Sequence, residues 1–95
     1  MSAYMIVDVD IKDPVLYQEY TSRVPAIIRK HRGEVLVRGG SFVILEGQWN
    51  PHSLVVLRFP DLASAQAFYD DPEYQPLIAI RQPISQMNMI VVEGN

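Results

Sequence analysis

The sequence predicts an α+β fold in which an antiparallel sheet carries its helices on one face. Two patterns support this prediction: short apolar runs typical of strands recur through the chain, and helical patterns lie between them. The third observation is the length of 95 residues, which is enough for one domain over residues 1–95 and too short for two.

The composition limits the class of protein and its partners. The chain is 48% hydrophobic and 20% charged, which is typical of a globular domain. A net charge of −3 without a basic stripe gives no reason to bind nucleic acid or an anionic membrane. Without cysteine there are no disulfides, and no signal peptide or membrane span is found. We therefore expect a cytoplasmic protein with neither nucleic acid nor membrane as a partner.

The first strand is predicted over residues 4–11, where apolar side chains alternate along one face. Asp13 and Pro14 then predict the start of a helix, because aspartate caps free amides and proline suits the first helical position. Pro25 falls inside the helical pattern, removes one backbone donor and predicts a kink or a split. Gly33 predicts the end of the helix.

Residues 33–49 divide the chain. Two apolar runs, residues 35–37 and residues 42–45, are typical of strands and flank the Gly39-Gly40 pair. Because glycine permits positive φ, this pair predicts either a tight hairpin turn or a bulge that bends one long edge strand. The sequence alone does not separate the two.

The second half repeats the strand and helix pattern. Residues 54–59 predict a strand, and Asp61 begins a second helix. Asp71 repeats the helix-start signal and predicts a short further segment, which ends before the last strand at residues 87–92. The compact arrangement of this β-α-β-(β)-β-α-β order is a ferredoxin-like antiparallel sheet with helices on one face.

The strands predict a homodimer. In three predicted strands, apolar residues occupy both the odd and the even positions, so both faces of the sheet carry apolar side chains that need to be covered. These strands are residues 35–37, 54–59 and 87–92. Two amphipathic helices cover only one face, and the other would be an apolar patch that a monomer rarely exposes. The simplest cover is a second copy packed sheet to sheet with two-fold symmetry.

Several short motifs occur in a specific order along nearly the whole chain. They are Asp13-Pro14 with Tyr17 and Tyr20, His31-Arg32-Gly33, Val37-Arg38-Gly39-Gly40, Leu45-Glu46-Gly47, Phe59-Pro60, and Pro72-Glu73-Tyr74-Gln75 with Arg81. Together they resemble a small bacterial family, domain of unknown function 1330, of the dimeric α/β-barrel superfamily. Arg32 departs from the pattern at a position where glycine is usual, and Ser53 and Arg58 depart where arginine and glutamate are usual.

This resemblance implies a ferredoxin-like protomer and a dimer whose two sheets close into a barrel. It implies no activity. Related families in the superfamily include cofactor-free monooxygenases, muconolactone isomerase-like enzymes and ligand-binding modules. That relation is one of fold and carries little about chemistry.

His31 is the candidate catalytic residue. It lies at helical spacing from Ile27 and Ile28 and is expected to face the apolar side. One interpretation is a helix-end histidine that donates to a backbone carbonyl. The other is a general base at the mouth of a pocket between the helix and the sheet.

Arg38 and Glu46 are candidate ligand-binding residues because they flank the two apolar runs. Across a hairpin they would form either a solvent-side ion pair or a site in which a buried arginine orients a carboxylate. Arg81 either pairs with a carboxylate or binds an anion, and Trp49 covers the dimer seam or closes a pocket. Four helical aromatic residues are the other candidates, and one or two of them are expected to line a cavity while the rest fill the edge of the core. They are Tyr17, Tyr20, Tyr69 and Tyr74, of which Tyr20 and Tyr69 are taken as binding residues.

We expect one pocket per protomer, between the helices and the sheet, for a small and partly apolar organic molecule. No metal or cofactor is expected, because the chain has no recognisable ligand spacing, phosphate loop or nucleotide fingerprint. An enzyme would use cofactor-free acid/base or oxygenase chemistry, with His31 as base and Arg38 orienting an anion. The alternative is a non-catalytic ligand-binding or interaction module.

Overall fold

The computed structural model describes all residues Met1–Asn95. Its strands are β1 (Ala3–Ile11), β2 (Glu34–Arg38), β3 (Leu54–Phe59) and β4 (Ser85–Glu93). Its helices are α1 (Pro14–Lys30), α2 (Leu62–Asp70) and α3 (Gln75–Arg81), and a single 3-10 turn (Gln82–Ile84) leads into β4. The four strands form one antiparallel sheet in the order β2-β3-β1-β4, which is the ferredoxin-like order and confirms the predicted fold class.

β1 organises the sheet because it pairs with both β3 and β4. Alternation along the strand turns Met5, Val7 and Val9 toward the helices, where each is at most 5% exposed. Ile6 and Asp8 lie between them and point to the opposite side. We call the side that packs against the helices the inner face and the other side the outer face. None of the helices has the length and hydropathy needed to cross a bilayer.

α1 begins as the sequence predicts. The carboxylate of Asp13 accepts a hydrogen bond from the Leu16 backbone N–H at 3.1 Å, and Pro14 occupies the first turn. The helix stays whole across Pro25, so the predicted split does not occur. Proline removes only the bond to the carbonyl of Thr21, while buried side chains on both sides of Pro25 hold the helix against the sheet.

α1 ends in a Schellman-type turn. The N–H of Gly33 donates to the carbonyl of Ile28 at 2.8 Å, and the N–H of Arg32 donates to the carbonyl of Arg29 at 2.9 Å. The left-handed residue is Arg32, with φ of 60°, and not Gly33. Gly33 serves a different need, because a Cβ there would lie 2.6 Å from Cε1 of Phe59. A glycine is therefore required at this position by the close approach of the core.

Residues 40–52, which we call the arm, contradict the prediction of a strand at residues 42–45. β2 carries a bulge between Val35 and Val37, and its pairing ends with a bond from the Gly39 N–H to the Leu54 carbonyl at 2.7 Å. The Gly39-Gly40 pair is thus neither a hairpin turn nor a bulge. The arm has no strand of its own chain to pair with, and its apolar side chains are exposed. These are Phe42, Val43, Ile44 and Leu45, at 41%, 80%, 48% and 88% exposure.

The outer face carries an apolar row across all four strands. Val37 stands opposite Val56, Val56 opposite Ile6, and Ile6 opposite Ile90. We call these four residues the apolar band. Ile90 is 62% exposed and Val37 is 40% exposed, so no element of this chain covers the band. The helices cover the inner face only, as the sequence predicts.

Candidate functional site

A cavity of about 340 Å³, which we call the inner cavity, lies between α1 and the inner face of the sheet. Fifteen of its 20 lining residues are hydrophobic when its three tyrosines are included, and they come from α1, α2, all four strands and the turn that carries Tyr74. The cavity therefore opens within the core of one protomer and not between two protomers. Its polar wall residues are Tyr17, Tyr20, Thr21, Arg38, Ser53 and Tyr74.

Two tyrosine hydroxyls meet on the cavity wall. The hydroxyl oxygens of Tyr20 and Tyr74 are 2.7 Å apart, and the two residues are 7% and 0% exposed. Burial, together with the neighbouring Tyr74, raises the pKa of Tyr20 well above its usual value. Tyr20 therefore stays a neutral phenol that donates and accepts hydrogen bonds at ordinary pH.

Arg81 lies behind this pair. Its guanidinium carbon is 5.8 Å from the centre of the Tyr20 ring, and the residue is 6% exposed. Burial opposes its charge, but the nearby hydroxyls of Tyr74 and Tyr20 outweigh this effect and raise the pKa of Arg81. Arg81 forms no ion pair with a carboxylate, and its buried Nε has no hydrogen-bond partner. The carboxylate pair expected from the sequence is therefore wrong.

The outer end of the inner cavity lies where the arm joins the sheet. Arg38, Gly39 and Ser53 line it there, and Arg38 stands opposite Val55 on β3. No ion pair joins Arg38 to Glu46, because the arm leaves the sheet instead of folding back as a hairpin. Arg38 is exposed, so it borders the cavity as a solvated cation.

His31 lies at the end of α1, in contact with a buried carboxylate. Its Nε2 is 2.7 Å from Oδ2 of Asp71, whose side chain is 2% exposed, and Nζ of Lys30 is 2.9 Å from the same oxygen. The other oxygen, Oδ1, accepts from the Glu73 backbone N–H at 2.8 Å. These donors, His31 first, hold the pKa of Asp71 well below its usual range.

His31 is not among the residues that line the inner cavity. Its ring lies edge-on to Phe68, with 6.4 Å between ring centres, and Phe68 lines the cavity on its other side. The Tyr74 backbone N–H donates to the carbonyl of Asp71 at 2.8 Å. The contact between His31 and Asp71 thus fixes the turn that presents Tyr74 to the cavity.

The remaining candidate residues lie in two other places. Glu46 and Trp49 belong to the exposed arm, and the indole N–H of Trp49 donates to Oδ2 of Asp8 at 3.2 Å. Tyr69 lines a second cavity together with Arg81. Of the predicted ligand-binding residues, only Tyr20 and Arg38 line the inner cavity.

The sequence analysis missed Asp71 as a residue of the site and named Tyr74 only as one of four aromatic candidates for a cavity wall. Tyr74 follows the Asp71-Pro72 pair that signals a helix start, so an aromatic residue in that turn was a usable signal. No local pattern indicates that Asp71 meets His31, since 40 residues separate them. No group of three or more acidic or histidine side chains is placed to hold a metal ion.

Solved structures of other proteins share this fold. The RPA0582 protein of unknown function from Rhodopseudomonas palustris matches with a TM-score of 0.76 and 18% identity, over 99% of this chain and 82% of that chain. A dimeric ferredoxin-like protein of unknown function from Jannaschia sp. CCS1 matches with a TM-score of 0.67 and 15% identity, over 99% and 100% of the two chains. SnoaB, a cofactor-independent oxygenase from Streptomyces nogalater, matches with a TM-score of 0.68 and 11% identity, over 99% and 93%.

At these identities the similarity establishes the fold and not the chemistry. No curated protein matches the sequence. A family model described as domain of unknown function 1330 (DUF1330) matches residues 2–95, which confirms the resemblance carried by the sequence motifs. The chain belongs to the DUF1330 family.

Proposed function

We propose that this protein is a cytoplasmic homodimer that binds a small, largely apolar organic molecule in the inner cavity of each protomer. One observation carries the proposal: a cavity of about 340 Å³ has a mostly apolar wall that includes the paired hydroxyls of Tyr20 and Tyr74. A concave apolar wall with a few placed polar groups is the usual form of a ligand site. The absence of cysteine suits a reducing compartment.

The size of the cavity indicates the size of the ligand. An engineered cavity of about 150 Å³ holds a benzene molecule. The inner cavity, at about 340 Å³, has room for a molecule of about two fused rings. Its polar groups lie at two ends, with the tyrosine pair on the inner wall and Arg38 beside Ser53 at the outer end. A flat ring system with a hydroxyl or carbonyl group fits this pattern.

Binding is the function that the cavity supports best. Its lining includes no aspartate, glutamate or histidine side chain, so the usual general bases are not in contact with a molecule held there. The role of His31 as a base stays a prediction, and its ring lies behind Phe68. The geometry gives His31 a simpler task, which is to hold the turn that carries Tyr74.

The homodimer is supported by the outer face. The apolar band crosses all four strands, and the apolar side chains of the arm are exposed beside it. Surfaces of this kind mark protein interfaces. A second copy related by a two-fold axis presents the same band to the first, which makes the contact self-complementary. The Jannaschia protein with the same fold is described as dimeric.

A second candidate function is cofactor-free oxygenation of the bound molecule. SnoaB, which has this fold, is a cofactor-independent oxygenase. Within the Tyr20–Tyr74 pair one hydroxyl donates to the other, and the second hydroxyl would donate its hydrogen to an oxyanion that forms on the ligand. Oxygen uptake in the presence of protein and a phenol, lost in Tyr20→Phe, supports this candidate, whereas binding without uptake supports the non-catalytic module.

Thermal denaturation with 1-naphthol as the probe tests the site. Val24 is partly buried on the cavity wall, whereas Val15 lies on the same helix and is 73% exposed. We expect 1-naphthol to raise the melting temperature of the wild type and of Val15→Phe by mass action. Val24→Phe fills the cavity and should lose this rise.

His31→Gln provides a further arm of the same experiment. Because His31 does not line the cavity, the variant should melt earlier but keep the rise caused by 1-naphthol. An equal rise in Val24→Phe and the wild type would remove the inner cavity as the binding site. If His31→Gln lost the binding of 1-naphthol without losing stability, His31 would have to be a residue of the binding site.

A further inference from the structure

A second cavity of about 420 Å³, which we call the edge cleft, lies beside the edge strand β4 and under α2 and α3. Its lining differs from that of the inner cavity. Met5, Met87 and Met89 separate the two, since they line both. The polar residues of the edge cleft are Gln66, Tyr69, Arg81 and Gln82. Arg81 is the only charged residue among those that line it.

Arg81 is an unusual residue to bury in this way. It is 6% exposed, no carboxylate pairs with it, and its Nε is buried without a hydrogen-bond partner. Burying a cation costs several kcal/mol unless charge and hydrogen bonds compensate. The ring of Tyr20, 5.8 Å from the guanidinium carbon, offers a cation–π contact on one side. The Nε–H group is the guanidinium donor that this contact leaves without an acceptor.

We propose that the edge cleft is a binding site for a small organic carboxylate, with Arg81 as its charge partner. The planar fork of arginine matches the two oxygens of a carboxylate. Gln82 adds a neutral hydrogen-bond donor, and Gln66, whose amide also donates to Asp70 at 3.1 Å, has a second N–H. The three methionines form an adaptable apolar wall for the body of the ligand. This site is separate from the one in the proposed function, because it lies on the other side of those methionines.

A monocarboxylate fits the cleft better than a phosphate. One arginine balances one negative charge, and no lysine or second arginine lines the cleft. The chain carries a net charge of −3, which disfavours a second unbalanced charge on the ligand. The methionine wall requires an apolar group next to the carboxylate. Benzoate has both parts, and benzamide is its uncharged counterpart of nearly the same shape.

The test is a titration of the full chain with benzoate and with benzamide, followed by NMR at the Nε–H group of Arg81. We expect benzoate to move this resonance downfield and to raise the melting temperature, and benzamide to do neither. Arg81→Met should lose the rise in melting temperature. Arg23→Met should keep it, because Arg23 is exposed on α1 and pairs with Glu19.

Two controls keep the test decisive. Val24→Phe blocks the inner cavity and should still bind benzoate in the edge cleft. The benzoate result therefore stands even if the inner cavity proves not to bind a ligand. If Arg81→Met does not fold, the comparison of benzoate with benzamide on the wild type decides alone. Equal effects of benzoate and benzamide on the Arg81 resonance, or an unchanged benzoate response in folded Arg81→Met, would overturn the proposal.

Discussion

Nε2 of His31 lies 2.7 Å from Oδ2 of Asp71 and joins the end of α1 to the turn between α2 and α3. Asp71 is almost fully buried, and the same carboxylate also binds Lys30 and the backbone N–H of Glu73. One side chain thus ties the end of α1 to the turn that contains Asp71 and Glu73. Because Tyr74 follows in the same turn, the arrangement of the inner cavity depends on this carboxylate.

Asp71→Asn should destabilise the protein at neutral pH and somewhat less at about pH 3, where the loss of the charge contribution begins. The pKa of Asp71 is held well below its usual range, so the unfolded chain takes up a proton at a higher pH than the folded protein does. Its contribution to stability is therefore complete above the unfolded pKa of about 3.9 and is lost as the pH falls below it. Urea denaturation at about pH 7 and about pH 3 measures the difference.

Asp70→Asn is the matched control for this prediction. Asp70 precedes Asp71 directly and is exposed, with a hydrogen bond only from Gln66. We expect its denaturation midpoint to follow that of the wild type at both pH values. A loss in Asp71→Asn that is the same at both pH values would show that charge is not its cause.

Tyr20→Phe should cost about 0.5–1.5 kcal/mol at neutral pH, the usual value of one buried hydrogen bond. It should also reduce the loss of stability in alkali. The pKa of Tyr20 is raised, so the folded protein keeps the phenol proton above about pH 10, where the unfolded chain loses it. The unfolded state then binds fewer protons, and the unfolding free energy falls as the pH rises.

Urea denaturation between about pH 8 and about pH 11 measures this slope. Tyr74→Phe and the double variant complete a cycle that isolates the pair. Additive losses of the two single variants would contradict a direct interaction between the hydroxyls at 2.7 Å. If the unfolding free energy of Tyr20→Phe fell with rising pH as steeply as that of the wild type, Tyr20 would not be the phenol whose pKa is raised by folding.

Gly33→Ala should destabilise the fold by about 1–3 kcal/mol, as overpacked cores do. A Cβ at Gly33 would lie 2.6 Å from the Phe59 ring and 2.8 Å from Cγ2 of Ile28. Gly40→Ala is the control, because no atom lies within 4 Å of a Cβ there. Equal midpoints for the two variants in urea would show that the core has room at Gly33.

Arg32→Gly should raise the unfolding free energy by up to about 1 kcal/mol, because Arg32 holds a left-handed φ of 60° that costs a residue with a side chain. Arg29→Gly, inside the last turn of α1, should lose about 1 kcal/mol instead. If thermal denaturation showed both variants to be more stable than the wild type, or both to be less stable, the backbone strain assigned to Arg32 would be refuted.

Ile90→Glu should convert the proposed homodimer to a monomer without unfolding the chain. Ile90 lies in the apolar band and is 62% exposed in the protomer, so a carboxylate there meets water in the monomer and an apolar surface in the dimer. Val15→Glu, exposed at 73% on α1, is the control and should leave the dimer intact. Sedimentation velocity distinguishes a monomer from a dimer. If the wild type itself sedimented as a monomer, the prediction would have no basis.

The sequence predicted best where the cause of a structure is local. Asp13 and Asp61 cap their helices as expected, and each carboxylate accepts a backbone N–H of the first turn. Alternation along β1 identified its buried side chains. These features depend on residues a few positions apart, so the printed sequence contains both partners of each interaction.

The prediction failed where the second partner is distant or lies outside the chain. Residues 42–45 have the composition of a strand, but strand formation requires a neighbouring strand, and none of this chain lies beside the arm. The local sequence identifies Asp71 only as the start of a helical segment. Its contact with His31 depends on the packing of two segments that are 40 residues apart in the sequence. Tyr20 and Tyr74 were both cavity candidates, but the hydrogen bond between them was not predicted, for the same reason.

The arm leaves the sheet after Gly39 and returns at Ser53, and both residues line the outer end of the inner cavity. In the proposed homodimer the arm would border both the proposed ligand site and the subunit interface, so ligand binding and dimerisation would depend on each other. Thermodynamic linkage is reciprocal, so a ligand that tightens the dimer must itself bind more tightly to the dimer. The measured affinity for the ligand would then change with protein concentration. Dilution would dissociate the dimer and thereby weaken ligand binding.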